Sequence, residues 1–185
     1  PVVSDELPIE TLHVAGVVMR GEGGLWAAAA QPPLFFDAKG AVEHLFEALG
    51  LAATFTAGAN EPFLHPGASA AITLGERHVG VVGELHPETA TRFEIDAPCA
   101  IFALDLDAIV ATSPAPVKYS EVSRQPSVRR DLAVLLSRDV PARGVLDAIR
   151  GAAGPHLVAA EIFDRYEGTG VPEGRVSVAF RLVFQ

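Results

Sequence analysis

Arg129 and Arg130 stand side by side at the head of a β-branched and leucine-rich run, Leu132–Leu136, and Arg124 lies just upstream. A guanidinium is planar, permanently charged and able to grip two oxygens at once, so this cluster suits phosphate. Pro126, between them, cannot donate to a strand ladder and keeps the lead-in Ser123–Asp131 extended and irregular. The six histidines raise the question of a metal. None shows a paired-ligand spacing such as HExxH, and His65 and His86 each precede a proline. With a single cysteine, Cys99, no metal site is expected, and those two histidines are read as bonding backbone at turns. Asp105 and Asp107, two apart, are expected to share one face of a strand end. Paired carboxylates can move protons or hold magnesium, but at a strand end before a linker they are read as solvated. Cys99 has no neighbouring Lys, Arg or His to activate its thiol and is read as a small buried residue. No catalytic residue emerges.

The elements that must position these side chains fall into two blocks. Leu12–Met19 reads as a buried strand, bounded by Gly21–Gly24; Trp26 and Ala27–Ala30 follow without an assignment. Asp37 is placed to cap a helix whose Val42, Leu45, Phe46 and Leu49 fall at i, i+3, i+4 and i+7, and Gly50 is placed to end it. A strand at Ala53–Thr56 precedes a hairpin, Ser69–Leu74 with His78–Gly83, turned at Gly75-Glu76-Arg77. A short helix is predicted from Pro87, with Glu88 in its first turn, then a doubly covered strand at Ala100–Leu106. Ala111–Pro116, with two prolines and no periodicity, marks a boundary between domains at 1–112 and 117–185. Beyond it come the strand Leu132–Leu136, a helix at Pro141–Arg150, and strands around Val158–Tyr166 and Val176–Phe184. That order, β-α-β-β, is the first two-thirds of a ferredoxin-like unit, and the class is α+β.

Composition narrows the possibilities further. The 185 residues are 49% hydrophobic and 20% charged, with 17 Gly and 14 Pro, which suits a globular chain rich in turns. One cysteine excludes an intrachain disulfide and fits a reducing cytosol, so a cytoplasmic location is expected. No apolar run is long enough to span a bilayer, and no secretory leader is visible at Pro1. A chain beginning without Met is expected to be part of something longer. The net charge of −9 argues against nucleic acid until it is divided. Residues 1–116 hold 4 bases against 15 acids, whereas residues 117–185 hold 10 against 8. Such asymmetry points toward a half that faces a polyanion.

Strand parity predicts what that half presents. Side chains alternate faces, so Leu132, Val134 and Leu136 point one way, with Val176, Val178, Phe180 and Leu182. Ala133, Ser177 and Ala179 form the opposite floor, with Asp164 and Tyr166 on one face of their strand and Phe163 and Arg165 on the other. Tyr166 could stack a base, Asp164 could accept from guanine N1–H and N2–H2, and Ala133 and Ser177 keep the approach open. On the residues alone, an ordinary half-exposed sheet face with a surface tyrosine accounts for the same pattern more simply.

The run RQPSVRRDLAVLL, followed by EIFDRYEG and VPEGRVSVAFRLVFQ, resembles the anticodon-binding domain of the phenylalanine–tRNA ligase beta-subunit family. LFFDAKGAVEHLFEALGL, FLHPGASAAI and GVVGELHPETATRF resemble the domain that precedes it. The resemblance implies a non-catalytic, class II synthetase-like antiparallel domain that packs against a catalytic alpha subunit. Ala71 stands where such segments tend to carry an acidic residue. It further implies a ferredoxin-like domain in which Ala133, Asp164, Tyr166 and Ser177 bind the first anticodon base of phenylalanine-tRNA. In the family two alpha and two beta subunits use ATP and magnesium, and neither cofactor is expected to be held by this chain. Family members continue past the position of Gln185 with a helix and a closing strand, so the ferredoxin-like unit is expected to be truncated. Two readings of other classes compete: a protein-interaction module whose ferredoxin-like sheet binds no RNA, and a hydrolase or ligase built on the scattered His and Asp residues.

Overall fold

The computed structural model describes residues 10–20, 32–112, 114, 116, 119 and 123–185. Gly21–Gly24, Trp26 and Ala27–Ala30 lie outside them, as do parts of the Ala111–Pro116 stretch. The chain divides into two compact units, Pro1–Val117 and Lys118–Gln185.

The first unit is a five-stranded antiparallel sheet in the order β1-β5-β4-β3-β2. Its strands are β1 (His13–Met19), β2 (Ala53–Ala57), β3 (Leu64–Leu74), β4 (Arg77–Leu85) and β5 (Cys99–Asp105). Three helices interrupt them: α1 (Leu34–Ala48), α2 (Pro87–Arg92) and α3 (Leu106–Val110). The buried stripe of α1 is Leu34, Ala38, Val42 and Phe46, four residues apart, so the helix lies on the sheet along one ridge. Leu45 and Leu49, expected in that stripe, flank it and stay exposed. Against the stripe pack Ile72, Leu74, Val79, Val82, Ala100 and Leu104, with Ala108 and Ile109 from α3. A fully buried side chain such as Phe46 or Ile72 contributes about 1.5–3 kcal/mol. The other face of the sheet carries a smaller cluster of Ala59, Leu64 and Val81.

The start of α1 departs from expectation. Pro33 occupies the N-cap without a side-chain bond, and Asp37 sits a turn further in, paired with Arg20 at 2.5 Å. The N–H of Phe35, which has no partner within the helix, is met from outside it by Glu84 Oε1 of β4 at 3.0 Å. A local pattern could not reveal that partner. The far end is as predicted: Gly50 takes φ +68°, its N–H bonds Glu47 O, and Leu51 N–H reaches Phe46 O at 2.9 Å. This double closure is what a left-handed glycine permits.

The second unit comprises β6 (Val128–Ser137), α4 (Ala142–Ala152), β7 (Leu157–Tyr166) and β8 (Arg175–Phe184). All pairings are antiparallel and β8 is central, giving the order β6-β8-β7. Val176, Val178 and Phe180 of β8 are buried, and Val134 and Leu136 of β6 join them beneath Val145, Leu146 and Ile149 of α4. The overall α+β class, with a ferredoxin-like second unit, is the one the element order predicts. Two details differ. β6 begins at Val128, four residues before the predicted strand, and β7 shifts register between Ile162 and Asp164.

Candidate nucleic-acid interface

The face of the β6-β8-β7 sheet turned away from α4 is ordered by register into three rows. Leu135, Ser177 and Tyr166 lie abreast; Ala133, Ala179 and Asp164 form the next; Asp131, Arg181 and Glu161 the third. Four of the predicted binding residues, Ala133, Asp164, Tyr166 and Ser177, therefore surround Ala179 on one side of the sheet. The methyl and hydroxymethyl groups of the middle leave a shallow floor between an aromatic ring and a carboxylate.

Tyr166 is 48% exposed and its ring is held from behind. Its hydroxyl donates to Thr169 O at 3.3 Å, and the ring packs on Gly168, where an added Cβ would stand 2.6 Å from the phenolic oxygen. Only glycine leaves room for that ring position. Glu167, between them, pairs with Arg138 at 2.6 Å and with Arg165. These contacts fix the loop that supports the tyrosine. Asp164 is exposed; one carboxylate oxygen accepts from Arg165 N–H at 2.8 Å, leaving the other for a ligand.

The two adjacent arginines lie on opposite faces of β6. Because the strand reaches back to Val128, alternation applies to them. Arg129 shares the open face with Asp131 and Ala133, whereas Arg130 opposes Leu182 on the α4 side. Both are exposed, as is Arg124 in the lead-in. That lead-in is tied down by Gln185, whose side-chain amide donates to Gln125 O at 2.9 Å.

Strict alternation also misplaces Phe163. Ile162 opposes Phe180 and Asp164 opposes Ala179, so Phe163 and Asp164 together face a single residue of β8. Such a bulge turns both toward the same side. Phe163 lies on the open face, 45% exposed, with the Arg181 guanidinium carbon 4.4 Å from its ring centroid. Arg181 is in turn bound to Asp131 through Nε and Nη2, both at 3.1 Å. The hydrogen bonds from Arg181, then its charge, hold the Asp131 carboxyl below its usual value; the same pairing raises Arg181. The sequence does carry a signal for the bulge. Ala160, Ile162, Asp164 and Tyr166 have one parity, and a switch from apolar to polar along it demands a change of phase.

In the first unit the titratable candidates serve the fold. His65 Nδ1 accepts from Gly67 N–H at 3.1 Å, and His86 Nδ1 accepts from Glu88 N–H at 3.2 Å, capping α2. Asp105 and Asp107 do not share a strand face, because β5 ends at Asp105 and α3 begins at once. Asp105 Oδ1 caps α3 through Ala108 N–H at 2.8 Å, and Asp107 Oδ2 takes Leu12 N–H at 2.8 Å. Among the described residues no three His, Cys, Asp or Glu come together as a group that could hold a metal ion. Burial pushes the Cys99 thiol up, away from a reactive thiolate.

Comparison with known proteins bears on both units. Residues 2–106 match the model of the phenylalanyl-tRNA synthetase beta chain CLM domain, and residues 123–185 match that of the ferredoxin-fold anticodon binding domain. The chain belongs to the phenylalanyl-tRNA synthetase beta chain family. A phenylalanine–tRNA ligase beta subunit of Lactiplantibacillus plantarum is 38% identical over 184 residues, covering 96% of this chain and 22% of the relative. That of Aromatoleum aromaticum is 36% identical over 188 residues, covering 100% and 22%. That of Dehalococcoides mccartyi is 42% identical over 151 residues, covering 82% and 18%. The chain thus spans about a fifth of the length of the curated relatives it matches. The second match, over residues 123–185, fits the ferredoxin-like unit expected there. Among the described residues no helix is long and apolar enough to cross a membrane.

Proposed function

We propose that this chain serves phenylalanine–tRNA ligase as a non-catalytic part of its beta subunit, the second unit reading the tRNA anticodon. The observation that carries the reading is the open face of β6-β8-β7, where Tyr166 and Asp164 border a floor of small residues. Single-stranded RNA is read by stacking splayed bases on aromatic rings and bonding their Watson–Crick edges. Tyr166 supplies the ring for the first anticodon base. Asp164 supplies an acceptor for guanine N1–H and N2–H2, and Ala133 and Ser177 give the base access. Arg129 on the same face, with Arg124 and Arg130 at its margins, engages phosphates and sets the position of the loop. The first unit packs against the alpha subunit, where ATP and magnesium are used, in a cytoplasmic assembly of two alpha and two beta subunits. That unit's bonded carboxylates and capping histidines suit a packing role.

The test is a titration of the chain with a phenylalanine-tRNA anticodon stem–loop, beside a stem–loop altered at the first anticodon base. The guanine form is expected to bind more tightly. Tyr166→Ala should weaken both by about 1–3 kcal/mol, because stacking tolerates base identity. Asp164→Asn should erase the difference between them while sparing much of the affinity. If both variants fold and still discriminate as the parent does, the reader lies elsewhere.

A further inference from the structure

The bulge at Phe163 and the Asp131–Arg181 pair have no part in the first-base site, yet they lie beside it on the same open face. Arg181 sits on the central strand, two residues along from Ala179 and four from Ser177, on the same open face. Its guanidinium lies over the Phe163 ring at 4.4 Å and is gripped through two nitrogens by Asp131 at 3.1 Å. A long side chain held at both edge and face has lost most of its freedom, while 36% of it remains exposed. Its charge is already matched by a carboxylate, which makes it a poor phosphate anchor. A planar guanidinium so held is instead a ready stacking partner, since bases stack on arginine planes as they do on aromatic rings.

We propose that the Phe163–Arg181 stack is the platform for a second unpaired base of the bound RNA, next to the base held by Tyr166 and Asp164. The proposal rests on the anticodon-reading function proposed above. It adds a distinct prediction: affinity here depends on the plane of Arg181 and little on its charge. A phosphate contact would behave in the opposite way, surviving replacement by lysine and contributing to the salt dependence.

The experiment measures stem–loop binding by the full chain at several salt concentrations, for the parent, Arg181→Lys and Phe163→Leu. Thermal unfolding confirms that each variant folds. The same set is repeated with stem–loops carrying a single abasic site at each loop position in turn. Both variants are expected to bind roughly 5- to 100-fold more weakly with an unchanged salt slope. An abasic site at one position other than the first anticodon base should abolish that loss, a result that a merely structural role for Arg181 would not give. If Arg181→Lys binds like the parent, or if its loss persists with every abasic stem–loop, the second platform is wrong while first-base discrimination through Tyr166 and Asp164 stands. If the parent chain fails to discriminate the first base at all, both readings fall together.

Discussion

The two units use the same materials to opposite ends. In the first, α1 and α3 cover one face of a five-stranded sheet and a second cluster fills part of the other. In the second, one short helix covers one face of three strands, and the opposite face keeps Leu135, Phe163 and Tyr166 about half exposed. α4 has no buried residue, whereas α1 has four. Charge follows the same division, with 15 acids against 4 bases in residues 1–116 and 8 against 10 in residues 117–185. A sheet covered on one face and partly on the other spends more of its side chains on stability. A sheet left bare on one side gives up core and gains a surface. The carboxylates show the contrast in small. Glu84 and Asp107 of the first unit each accept an N–H from a segment distant in sequence, whereas Asp164 of the second accepts one from its neighbour Arg165.

The largest expected effect tests the difference in core directly. Phe180 in β8 and Phe46 in α1 are both fully buried, and truncating either to Ala should cost about 3–5 kcal/mol. A unit as small as Lys118–Gln185 is marginal to begin with, so Phe180→Ala should abolish protection of β6, β7 and β8 amides from hydrogen exchange. Phe46→Ala should lower the protection of β3 and β4 without removing it. Retained protection of β8 in Phe180→Ala would break the comparison, because the second unit would then have reserves its small core does not explain.

How much of this was legible in the sequence differs between the units for the same physical reason. Element types and order could be read, because apolar periodicity and glycine punctuation are local. Gly50, Pro87 and the hairpin at Gly75 each act within a few residues of themselves. What escaped was set by partners distant in sequence. The α1 cap comes from Glu84, 49 residues away from Phe35. The role of Asp107 depends on Leu12, 95 residues off. In the second unit the floor of Ala133, Ser177 and Asp164 followed from alternation, but alternation fails at a bulge, and Phe163 was lost with it. Arg129 and Arg130 fall on opposite faces for a related reason: β6 begins at Val128, so alternation reaches them.

A smaller effect sharpens the picture of the bare face. Arg129 lies on it and Arg130 on the side of α4, so they should not contribute equally to RNA binding. Arg129→Ala is expected to weaken stem–loop affinity without base preference and to reduce the salt slope by about one. Arg130→Ala should do so by less. Equal effects would mean that the RNA wraps the edge of β6 and is not confined to one face.

The smallest effect concerns pH in the second unit. Arg181 holds Asp131 below the ordinary carboxylate range, chiefly by hydrogen bonding. Asp139 is lowered likewise, first by its bond from Ser137. A carboxylate whose folded value lies below its unfolded value of about 3.9 stabilises the fold above that pH. The contribution disappears as pH falls through the lower, folded value. The second unit should therefore lose stability on the acid side of about pH 4 and show no slope from these groups near neutrality. Both carboxylates are at the surface, where solvent and salt screen them, so the change should be modest and should shrink further in 1 M salt. Asp131→Asn should flatten the acid limb in part, the remainder belonging to Asp139. Unfolding followed through β8 amides between pH 2 and pH 7 makes the measurement. An acid limb identical in the variant would show that Asp131 and Arg181 are neighbours without energetic consequence. The guanidinium would then be free to turn from Phe163, and the contrast between a braced open face and a merely exposed one would fail.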